Sequence, residues 1–153
     1  MPEPAPSTSL LRPFLVGVLG LLVSWVVITL VQYLNITLYP LGPDVDLDDP
    51  AALAEAIRDL PLGAYVLLEL SYVLGSLAGG FVVGRAGGRS RRWIALGLGA
   101  VLTAFGVQNV VAIPHPLWLA VLTLVTFVPM TWLGARLGAP TSRPAPDQSP
   151  TVF

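Results

Sequence analysis

The sequence predicts an all-α integral membrane protein: an antiparallel four-helix bundle with both ends in the cytoplasm and a short amphipathic surface helix in its first outer loop. Three observations carry that expectation. Four long apolar runs occupy most of a 153-residue chain, 54% of the residues are hydrophobic against 11% charged, and the arginines fall almost entirely on one side of the runs. A water-soluble domain of this size interleaves polar positions at helical or strand period to keep one face wet, and these runs do not. Hydrocarbon satisfies no backbone polar group, so runs this apolar span as helices; a barrel would show shorter segments alternating with period two.

The chain divides into a tail over residues 1–10, a four-span domain over 11–136 and a second tail over 137–153. Met1 to Ser9 and Ala139 to Pro150 are rich in proline and small polar residues. They cannot bury enough apolar area to offset ordering entropy, and they read as disordered cytoplasmic tails. The first span is expected over 14–34. Its apolar stretch is too long for a signal peptide and no A-x-A-like cleavage site follows it, so it reads as retained. Trp25 lies mid-span and is expected to pack.

The connection from Asn35 to Pro61 holds Asp44, Asp46, Asp48, Asp49, Glu55 and Asp59 against Arg58 alone. Asp49 before Pro50 is a helix start, an N-cap carboxylate followed by a proline at the first helical position. Leu53, Ile57 and Leu60 then form one apolar stripe suited to the membrane surface, with Glu55, Arg58 and Asp59 turned to water. Asp44, Asp46, Asp48 and Glu55 also match positions 1, 3, 5 and 12 of a calcium loop, but Asp49 stands where that loop needs glycine. A solvated acidic loop is therefore expected, and no metal site. Asn35-Ile36-Thr37 is a glycosylation sequon too close to the membrane to be more than coincidence.

The second, third and fourth spans are expected over 62–84, 93–113 and 117–135. Arg85, Arg89, Arg91 and Arg92 crowd the turn between the second and third, Arg12 precedes the first, and Arg136 and Arg143 follow the fourth. Seven of eight arginines thus share a side, and positive-inside bias makes that side cytoplasmic. The Arg85 to Arg92 cluster reads first as a topology signal and second as a site for anionic lipid headgroups. Only Pro114-His115-Pro116 separates the last two spans, which must form a tight hairpin. His115 there is a solvated turn residue rather than a proton relay, and Pro129 is expected to kink the last span. Trp93, Trp118, Trp132, Tyr39 and Tyr65 lie near span ends, as an aromatic belt requires.

Small residues recur at helical spacing. Ser71, Gly75 and Gly79 make one row on the second span; Ser76, Gly80 and Gly84 make the next. Ala95, Gly99 and Thr103 repeat the pattern on the third span, and Gly17, Gly20 and Ser24 more loosely on the first. Lipid supplies no hydrophobic drive to pair helices, so close backbone approach and interhelical hydrogen bonds must do it. The second span is the expected centre, its rows used within the chain or as a homodimer seam.

Glu69 is the one charge inside the apolar runs. At 1.5 Å per residue it lies roughly 10 Å inside the second span, level with Gln108 and Asn109 of the third, Thr29 of the first and Thr123 of the fourth. A carboxylate there costs up to about 2.5 to 3.5 kcal/mol relative to water, so it should be protonated, paired or wet. No arginine reaches it from within the spans, which makes the amides of Gln108 and Asn109 its expected partners. Either a neutral Glu69 fixes which helices touch, or it titrates in an outward-facing cavity that Tyr72 and Ser76 extend inward.

No HExxH, GxSxG, catalytic acid pair, Walker loop or CxxC is present, and cysteine is absent. Gly79 to Gly84 reads as a helix-packing signal rather than a nucleotide loop. With a net charge of -1 and its arginines at the membrane edge, the chain carries no nucleic-acid footprint. The total lack of lysine beside abundant Ala, Gly and Pro suits a GC-rich bacterial genome. The expectation is a non-enzymatic accessory or scaffold component of the cell membrane that needs no cofactor. Its partners would be the lipid bilayer and further copies or a larger complex. The alternative is a proton-coupled or cation-linked transporter working as a homo-oligomer through Glu69.

Overall fold

The computed structural model describes residues 10–113 and 116–140. These fold as α1 (Leu11–Leu38), α2 (Pro50–Arg58), α3 (Leu62–Ala86), a single 3-10 turn (Gly88–Ser90), α4 (Arg91–Ala112) and α5 (Leu117–Leu137), with no strand among them. Helices α1, α3 and α5, and α4 with its preceding turn, are long and apolar enough to cross a membrane, which fits a multi-pass membrane protein. The expected disorder of residues 1–9 and 141–153, and the positions of His115 and Arg143, lie outside the described residues.

Local chemistry sets the helix ends. Asp49 is extended, and its carboxylate accepts the Ala51 N–H at 2.9 Å with Pro50 at the first helical position. Pro61 and Pro116 precede α3 and α5. The α3 to α4 turn closes through Gly88, whose φ of 55° is the only positive value in the described chain; this left-handed backbone favours glycine. Helix α1 runs past the expected end at residue 34, carrying the whole sequon into the helix. There Asn35 donates from Nδ2 to the Ala64 carbonyl at 3.1 Å, tying α1 to the start of α3.

Helix α3 is the centre of the bundle, packed on α1 and α5, while α4 lies across α5 and touches α1 and α3 more lightly. The two small-residue rows explain this. A methyl group added at Gly75 or Gly79 would overlap Ser24, Ile28 or the Gly20 backbone of α1. One added at Gly80 or Gly84 would overlap the Thr131 or Ala135 backbone of α5. Both rows are therefore filled from within the chain. Gly134 and Gly138 of α5 press on Leu77 and Phe81 in return, and Gly99 of α4 meets Val128 and Thr131.

Sequential spans run antiparallel, but the closely packed α3 and α5 run parallel. Tyr65 meets Trp118, Glu69 meets Thr123 and Thr126, and Gly80 meets Thr131, in the same order along both helices. Pro129 sits inside α5 without ending it. Trp25, expected to pack, is instead 65% exposed.

Candidate functional site

The half-buried Glu69 is held by α5. Thr123 Oγ1 lies 2.8 Å from Oε2 and Thr126 Oγ1 lies 2.7 Å from Oε1. These hydroxyls replace the expected amides. Depth alone made Gln108 and Asn109 candidates, but α4 packs only lightly on α3, Gln108 is exposed, and Asn109 Nδ2 donates instead to the Tyr72 hydroxyl at 2.9 Å. Thr123 was expected in the polar layer and is there. Thr29 is not: it is exposed on the far side of α1, beside Trp25 and Leu30.

Thr126 Oγ1 also lies 2.9 Å from the Leu122 carbonyl one turn earlier on α5, so its hydroxyl stands between Glu69 and the backbone of its own helix.

Tyr72, one turn further along α3, borders a different feature. A cavity of about 340 Å³ opens between α1, α4 and the α3–α5 pair. Trp25, Phe105 and Phe127 supply aromatic walls, while Gln32, Tyr72 and Asn109 bring hydrogen-bonding groups together. Tyr72 packs edge-on against Phe127 with ring centroids 5.3 Å apart. Glu69 does not line this cavity. Ser76, expected to extend a path inward, is fully buried with its hydroxyl unpaired, as is Ser24. Ser24 sits where α1 meets Gly75 and Gly79 of α3.

The arginines divide between two further cavities at the other end of the bundle. Arg91 and Arg92 of α4 share one of about 450 Å³ with Arg136 and Trp132 of α5. Arg12 and Arg89 share another with Ala86 and Gly88. Arg85 is exposed and lines neither.

The acidic loop forms no ion-binding cluster among the described residues. Asp49 is committed as the α2 cap, Asp46 accepts the Asp48 N–H at 2.9 Å, and Glu55 points outward from α2. Tyr65 ties that helix down by donating to the Ile57 carbonyl at 2.6 Å.

Two site residues escape the depth argument, Thr126 and Gln32. Thr126 had a readable signal, since it stands at i+3 from Thr123 on the same α5 face. Gln32 approaches the Tyr72 hydroxyl from α1, and nothing in its neighbourhood marks it. Comparison with protein-family models, with curated proteins and with solved structures finds no match to this chain.

Proposed function

We propose that the chain is a non-enzymatic structural component of the cell membrane, an accessory or scaffold subunit. Both termini face the cytoplasm, and α2 lies along the outer surface. The observation that supports this reading is the Glu69 contact. An acid whose two oxygens are engaged by Thr123 and Thr126, outside the neighbouring cavity, has the environment of a helix lock rather than of a proton carrier. The arginine-rich end of the bundle supports the orientation. The face left open for a partner subunit or a second copy is that of α1, whose most apolar window is only 17% buried, against 39% for α3.

Liposomes carrying a trapped pH dye test the reading. Wild type and Glu69→Gln should both leave proton flux at the protein-free level, and the variant should unfold at the wild-type denaturant concentration. Flux through the wild type that disappears in Glu69→Gln would establish the transporter instead.

A further inference from the structure

We propose that Arg91, Arg92 and Arg136, with Trp132 beside them, form a binding pocket for a phosphate group carried by an anionic phospholipid. The proposal rests on the chain being membrane-spanning and is independent of the role given to Glu69.

Four observations converge on it. Three arginines from two helices line one cavity of about 450 Å³, large enough for a headgroup rather than a bare ion, and Arg91 also reaches the Gly88 carbonyl at 3.5 Å. Every acidic residue among the described ones lies elsewhere: six in the segment between α1 and α3, and Glu69 in the half of α3 nearest that segment. No carboxylate among the described residues is therefore at hand to neutralise the cluster, and like charges brought together call for an anion. Arg136 stacks over the Trp132 ring at 4.7 Å, which holds its planar fork in place; such a fork matches phosphate oxygens two at a time. Finally, the flanks are apolar and exposed: Trp93 is 78% exposed and Leu137 65%, so acyl chains find a surface beside the phosphate. A soluble phosphate would gain nothing from those flanks.

Basic cavities between membrane helices at the cytoplasmic edge suit anionic headgroups, and each arginine near the surface contributes about 1 kcal/mol, or roughly fivefold in affinity. Arg85 and Arg89 provide the control, because they carry equal charge at the same end of the bundle but line no part of that cavity.

The purified full-length protein in neutral detergent, titrated with short-chain phosphatidylglycerol and followed by native mass spectrometry, should retain one lipid per chain. Phosphatidylcholine should not substitute, and millimolar inorganic phosphate should not displace it. The Arg92→Gln/Arg136→Gln double variant should bind about 25-fold more weakly, two arginines at the fivefold given above, while Arg85→Gln/Arg89→Gln stays near wild type. Equal losses in the two variants would reduce the effect to net surface charge and overturn the pocket. Complete displacement by inorganic phosphate would overturn the lipid as its source. If the pocket variant does not fold, the wild-type titration decides alone: no preference for phosphatidylglycerol over phosphatidylcholine overturns the proposal.

Discussion

The α3–α5 seam and the α1–α4 side are both built from helices apolar enough to cross a membrane, yet one is closed and the other open. Along the seam, Gly80, Gly84, Gly134 and Gly138 let backbone meet backbone, and the Glu69 bonds add a polar lock near one end. Helices α1 and α4 touch where Gly17 and Gly20 meet Ile94 and Leu98, then leave a cavity between Trp25 and Phe105. Mean hydropathy does not account for the difference, since α1, the most apolar of the four, is the least buried. In lipid a large apolar side chain is as content facing acyl chains as facing protein, so residue size and polar bonds decide which helices adhere.

The comparison breaks most sharply at Gly80. A leucine there would collide with the Thr131 backbone, which cannot yield as a side chain tip can, and should destabilise the bundle by about 3 kcal/mol. Gly97→Leu on α4, with nothing within 4 Å of an added Cβ, should leave stability close to wild type. Unfolding by denaturing detergent measures both; similar losses would mean that small residues do not direct the packing. A finer test lies on the open side. Phe105 is 53% exposed beside the cavity, and Phe105→Ala should change stability by no more than about 0.5 kcal/mol in the same titration.

Much of the fold was legible because its physics is one-dimensional. An apolar run long enough to cross hydrocarbon becomes a helix wherever it packs, and the Asp49-Pro50 start of α2 is a local signal of the same kind. The two rows on α3 were readable as packing surfaces, since spacing alone places Gly75 with Gly79 and Gly80 with Gly84. Which helix each row meets was not readable, because this depends on the order of helices around the bundle. The same limit hides the partner of Glu69. Counting along the helices yields depth, and Gln108 and Asn109 share that depth, but they belong to α4, which α3 touches more lightly than it does α5. Had α5 been recognised as the parallel neighbour, the count would have served. Glu69 stands seven residues beyond Leu62, and Thr123 and Thr126 stand six and nine beyond Leu117.

Glu69 joins α3 to α5, and a double-mutant cycle measures that coupling. Glu69→Ala, the Thr123→Val/Thr126→Val pair and the triple combination would be unfolded in denaturing detergent beside wild type. Hydrogen bonds between membrane helices average about 0.6 kcal/mol in such cycles, so two of them should give a coupling of about 1 kcal/mol. A coupling indistinguishable from zero, with the single losses simply adding, would show that the carboxyl and the hydroxyls do not act together.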